Sequence, residues 1–215
     1  MRPHRVKQDE FPYHITTRTN NREFRFVNKK KVIKAFAKVI FEASKKYEIK
    51  IFHFILLSNH YHLLCQTAGE NIDRAFQYIN SRVALWYNKL NKRTGHLWEK
   101  RYHSSIIEDE KYYERAIHYI YNNAVRAGIS TNPEDYDAST ITFYAFGKRV
   151  DIVLTEDSYY ISMGKNDEIR RRAFLDLVNY EKHEEELEKT KYGLNNRFFG
   201  SFDFVKDMVE KYCPG

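Results

Sequence analysis

Across 215 residues the chain carries 36 Lys and Arg against 29 Asp and Glu, a formal net charge of +7, with 42% hydrophobic and 16% aromatic residues. That length supports a substantial core and excludes a mini-protein, while two cysteines far apart exclude a disulfide framework and a cysteine zinc site. No apolar run reaches the roughly 18 residues of a membrane span, and the stretch leading into Phe11-Pro12-Tyr13 lacks the apolar core of a signal peptide, so a reducing cytoplasm is the expected compartment.

Positive charge favours a polyanionic partner, and 17 Tyr with 15 Phe exceed what packing ordinarily asks for, so some rings are expected to meet bases. Tyr13 to Arg18 reads as a β-strand and Asn20-Asn21 as a turn. From Lys29 to Tyr47, Val32, Ile33, Phe36, Val39, Ile40 and Ala43 recur at helical spacing. Ile49 to Leu57 and His60 to Thr67 are apolar runs around a Ser58-Asn59 turn, an antiparallel hairpin. A helix follows from Asn71 to Asn91, then a short strand from Ser104 to Ile107. Glu108-Asp109-Glu110 then opens a helix that runs to about Ala127 and stops at Gly128.

This β-α-β-β-α-β-α order predicts an α+β fold: a ferredoxin-like antiparallel sheet with helices on one face. The segment from Thr131 to Leu154 is irregular and is expected to wrap around the core. Residues 165 to 190 carry one further helix, and Phe202 to Tyr212 a last short one. The chain divides into a domain of residues 1–150 and a mainly helical C-terminal appendage of residues 151–215.

Ser58-Asn59-His60-Tyr61-His62-Leu63-Leu64 is the most informative stretch. Residues i and i+2 of a strand share a face, so His60 and His62 point the same way while Tyr61 and Leu63 turn to the other side. Two imidazoles from a rigid platform are half of a metal site, although the same spacing also occurs with ordinary polar histidines.

The helix after the fourth strand is rich in phenols, and Tyr119 alone has a carboxamide, Asn123, one turn on and on the same face. Tyr112, Tyr113 and Tyr121 have Ala116, Ile117 and Val125 there, none of which binds a cation. The plainer alternative makes Tyr119 a core aromatic and Asn123 a helix-end residue. His118 with Asn122 is a second, weaker pairing.

Together these segments closely resemble the REP-associated tyrosine transposases, a branch of the single-tyrosine transposases of the HUH superfamily. Arg2-Pro3-His4-Arg5, Tyr13-His14-Ile15 and Asn20-Asn21-Arg22 resemble the family's N-terminal arm and first strand. Ser58 to Leu64 resembles its HUH segment. Gly95-His96-Leu97-Trp98-Glu99-Lys100-Arg101-Tyr102 is similar to its Gly-x-x-Trp-x-x-Arg-Tyr/Phe stretch, and Tyr119 to Gly128 to its tyrosine helix. Ala124 stands where the family usually has proline, and Leu57-Ser58 where Met-Pro is usual; neither change removes a reacting atom.

The resemblance implies a metal-dependent endonuclease and strand transferase acting in DNA transposition and recombination. Tyr119 is the nucleophile and forms a 5′-phosphotyrosine with release of a 3′-OH; His60, His62 and Asn123 hold Mg²⁺ or Mn²⁺. The implied substrate is single-stranded DNA beside a hairpin, a REP-like palindrome. Arg2, Arg5, Arg18, Asn21 and Arg22 are candidates for reading it, Trp98 and Tyr102 for stacking on bases, Arg101 and Arg126 for phosphate contact. Trp98 as core and Arg101 in a salt bridge are equally open. Lys29-Lys30-Lys31 reads as a solvated helix start, and the Arg170-Arg171-Arg172 and Glu184-Glu185-Glu186 runs as an exposed helical surface. A homodimer is compatible with the resemblance, since the superfamily includes dimers. Two other functions share the basic surface: a catalytically idle hairpin-binding regulator, and an RNA-binding ferredoxin-like domain with structural histidines. Neither needs the phenol and all three ligands together.

Overall fold

The computed structural model describes residues 5–69, 71–108 and 110–213. Arg2, assigned above to hairpin reading, and Asp109, assigned to a helix start, lie outside them. The elements follow as β1 (Tyr13–Arg18), α1 (Lys29–Tyr47), β2 (Ile49–Leu56), β3 (His60–Thr67), α2 (Ile72–Leu90), β4 (His103–Ile107), α3 (Glu110–Arg126), α4 (Ile141–Phe146), α5 (Ser158–Ser162), α6 (Asp167–Asn179), α7 (Glu184–Leu194), β5 (Phe198–Phe199) and α8 (Phe202–Tyr212).

The sheet runs β2-β3-β1-β4-β5. Its first four strands pair antiparallel, as the order of elements predicts, but β5 adds to β4 in parallel through Ile106↔Phe198 and Ile107↔Phe199. The sheet is therefore mixed rather than purely antiparallel. Helices also cover both faces, not one. Tyr61 and His62 are consecutive on β3 and so point to opposite sides: Tyr61 packs on Phe36 of α1 and donates its hydroxyl to Asn80 of α2, whereas His62 meets Tyr119 of α3. The single helix expected over residues 165–190 is two, α6 and α7, separated by extended backbone at Tyr180 and His183. Within the irregular 131–154 segment, α4 closes on Gly147, whose φ of +64° suits a residue without a Cβ.

A bulge between Ile51 and His53 reverses the alternation of β2, turning His53 to the α3 face while Ile51 stays on the α1/α2 face. There His53 is fully buried. Its Nε2–H donates to Asp157 at 2.8 Å, and its Nδ1 lies 2.9 Å from the Tyr121 hydroxyl. Tyr113 donates to the same Asp157 oxygen at 3.1 Å, and Phe174 of α6 stacks on the His53 ring at 6.2 Å. Buried polar groups are tolerated when they are hydrogen-bonded to one another, as these are. The network fastens residues from the C-terminal segment to the sheet directly behind α3.

A candidate phosphodiester-cleaving cleft

Register brings the site together. On β1, His14, Thr16 and Arg18 alternate onto the α3 face, and β3 pairs so that Thr16 lies opposite His62 and Arg18 opposite His60. One face thus carries His60, His62, His14 and Arg18 side by side. Opposite them α3 presents Tyr119, whose ring stands edge-on to His62 with centroids 6.0 Å apart; the His60 and His62 rings are 5.0 Å apart. A cleft of about 700 Å³ is lined by His60, His62, Tyr119, Asn123, Arg18 and Arg126 together with residues of α7.

Hydrogen bonds determine which atoms face a ligand. Asn59 donates its Nδ2 to the Arg22 carbonyl, so its Oδ1 is left to accept from His60 Nδ1–H at 2.6 Å, and the His60 lone pair falls on Nε2. His62 Nδ1 is 2.8 Å from His14 Nε2, and His62 Nε2 is buried without a partner. Asn123 donates its Nδ2 to the Tyr119 carbonyl at 2.8 Å, which keeps its amide oxygen for another group. Burial, reinforced by Arg18, lowers the His60 pKa to about 4; burial and then the His60 and His14 charges hold His62 well below its ordinary value. Both imidazoles are consequently neutral at pH 7, the form that binds metal.

Among the described residues no three His, Cys, Asp or Glu side chains gather as a cation site. The donor set here is two imidazoles and one amide oxygen, which suits Mn²⁺ and accommodates Mg²⁺ with water completing the shell. An orphaned, buried His62 Nε2 beside a neutral His60 and a free amide oxygen fits a divalent cation.

Tyr119 is 8% exposed. Burial raises its pKa, while Arg126 and Arg18 pull it down and Glu188 opposes them. The Arg126 guanidinium sits 6.0 Å from the Tyr119 ring centroid and is held by Glu184 at 3.0 Å and Glu188 at 2.7 Å.

Other predicted residues lie elsewhere. Asn21 and Arg22 form the exposed turn after β1, both in the left-handed region. Arg5 reaches Asp73 at 3.1 Å and lies 3.7 Å over the Tyr102 ring; Tyr102 is buried and donates to Asp73 at 2.7 Å. Trp98 packs among Phe26, Phe36 and Tyr61 and donates to the Asn80 carbonyl, while Arg101 is exposed at the rim of a second groove shared with Arg5 and Tyr102. His118 turns away from the cleft to the Tyr180 carbonyl at 2.9 Å. His14, Asn59, Glu184 and Glu188 were absent from the predicted set. His14 shares a face with Thr16 and Arg18, but the strand it meets is set by register, and the glutamates carried no signal linking them to Tyr119.

The fold is one found among solved transposases. In three dimensions the chain is similar to the REP-associated tyrosine transposase solved bound to a REP hairpin, with a TM-score of 0.58 at 16% identity over 73% of this chain and 92% of that one. A transposase candidate from Deinococcus radiodurans R1 aligns with a TM-score of 0.40 at 14% identity, over 52% and 89% of the two chains. No curated protein matches. The family model described as "Transposase IS200 like" matches residues 7–123, and the chain belongs to that family.

Proposed function

We propose that this transposase cleaves single-stranded DNA beside a hairpin, with Tyr119 as nucleophile, and rejoins the strands. The carrying observation is the Tyr119 ring 6.0 Å from His62 in a cleft shared with His60 and Asn123. Tyr119 Oη attacks the scissile phosphorus; the Oη–P bond forms as the P–O3′ bond breaks, the phenol proton passes to solvent, and O3′ takes up a proton from solvent and leaves as a hydroxyl. The phosphoryl group stays activated on the enzyme, so a 3′-OH can attack it and reseal DNA without a nucleotide cofactor.

An unperturbed phenol is only about 0.1% ionised at pH 7, so phenolate must be favoured locally. Arg18 and Arg126 supply positive charge at the ring. A divalent cation held by His60, His62 and Asn123 would, when bound, neutralise charge building on a non-bridging phosphate oxygen. Arg18 and Arg126 line the same cleft as the phosphate-positioning pair, with Asn21 and Arg22 at the exposed turn and Arg5, Trp98, Arg101 and Tyr102 around the second groove as the hairpin-reading set. The solved relative bound to a REP hairpin supports a hairpin substrate. Residues 1–150 would form the catalytic domain and 151–215 its helical appendage. Among the described residues no helix is long and apolar enough to cross a membrane, and the cytoplasm is the proposed site of action.

Incubating the protein with hairpin-bearing single-stranded DNA and Mn²⁺ should release a fragment ending in 3′-OH. Chelation, or His60→Ala, should stop cleavage while hairpin binding persists. Cleavage that survives both would refute the metal-dependent reading; hairpin binding without cleavage by the wild type would favour the idle regulator.

A further inference from the structure

Building on the site proposed above, the unused member of its histidine cluster is His14. It is 2% exposed, at the middle of the α3 face of β1, and its ring is nearly coplanar with that of His62, at 17° with centroids 5.0 Å apart. Its Nε2 lies 2.8 Å from His62 Nδ1, and the two outer nitrogens, His14 Nδ1 and His62 Nε2, are both buried without a hydrogen-bond partner.

Between two neutral imidazoles one proton serves that contact, so two arrangements exist. In one, His62 Nδ1–H donates to His14 Nε2, and a bare lone pair stands on His62 Nε2. In the other, His14 donates, and His62 Nε2 carries a proton that bars it from a cation. The first arrangement alone leaves a lone pair on His62 Nε2 for the cation proposed above, its Nδ1–H being given to an acceptor behind the ring. Asn59 does the same for His60 through a different acceptor.

We propose that His14 is a positioning residue: by accepting from His62 Nδ1–H it fixes the tautomer and plane of His62, so that Nε2 presents its lone pair to the cleft. Outer partners of this type change metal affinity by about 10–100-fold when removed.

The test uses full-length protein and two readouts independent of DNA cleavage: Mn²⁺ binding followed by electron paramagnetic resonance, and ring-nitrogen NMR of the metal-free protein. His14→Leu should weaken Mn²⁺ binding about 10–100-fold, and His14→Gln, whose amide oxygen can accept the same bond, should recover most of it. In the wild type His62 Nε2 should resonate as an unprotonated nitrogen. A protonated His62 Nε2 in the wild type, or a His14→Leu variant that binds Mn²⁺ as the wild type does, overturns the inference; the NMR readout decides should the Leu variant not fold. His62→Ala binding Mn²⁺ unchanged would instead overturn the metal site itself.

Discussion

The cleft holds its imidazoles neutral by burying them, which has a consequence on acidification. His14 is lowered to about 3 chiefly by burial, His60 to about 4, and His62 further below its ordinary value. Between pH 6.5 and about 4 the unfolded chain therefore binds protons that the fold refuses, so stability falls as pH falls. Denaturation midpoints should drop steadily from pH 7 to pH 5, with a slope approaching about 1.4 kcal/mol per pH unit for each such histidine. His14→Gln should flatten that slope; an unchanged slope would show that His14 protonates freely in the fold. At this scale the sequence was legible wherever partners are local. Tyr119 and Asn123 share a helical face, and His60 and His62 share a strand face, so spacing made them candidates and the resemblance joined them into one set. His14 escaped because its partner is set by the β1–β3 register, a long-range property that single-strand spacing does not carry.

Elements beyond residue 150 do more than trail the sheet and its helices. Phe174 of α6 is fully buried against His53, Tyr121 and Tyr144, and Asp157, the cap of α5, is the acceptor for both His53 and Tyr113. Phe174→Ala should cost about 3–5 kcal/mol by leaving a cavity, and Asp157→Ala a similar amount, about 3–5 kcal/mol, by stranding a buried donor set. Urea denaturation measures both. Lys189→Ala, which removes an exposed ion pair with Glu185, should leave the midpoint close to that of the wild type; equal losses in all three would contradict this division of labour. These features were poorly legible in sequence for definite reasons. β5 is two residues long, too short for alternation, and the break between α6 and α7 at Tyr180 to His183 contains neither Gly nor Pro. The bulge in β2 likewise hides among continuous apolar residues, yet it turns His53 to the α3 face.

Across the whole molecule, a net charge of +7 and two cations beside Tyr119 tie affinity to counterion release. Single-stranded DNA binding should weaken linearly in log affinity with log salt, and replacing Arg18 or Arg126 by Gln should each reduce the slope by about 0.7; unaltered slopes would place the phosphates elsewhere. The sheet supplies the histidines, α3 the phenol and the amide, and the two halves meet because helices pack on both sides of the strands. The most direct test of that convergence is to trap protein-linked DNA after incubation with Mn²⁺ and a hairpin-bearing single strand, digest it, and map the modified peptide. The DNA should be attached at Tyr119 and vanish in Tyr119→Phe with hairpin affinity retained. Attachment at any other tyrosine, or an adduct persisting in the Phe variant, would contradict the account.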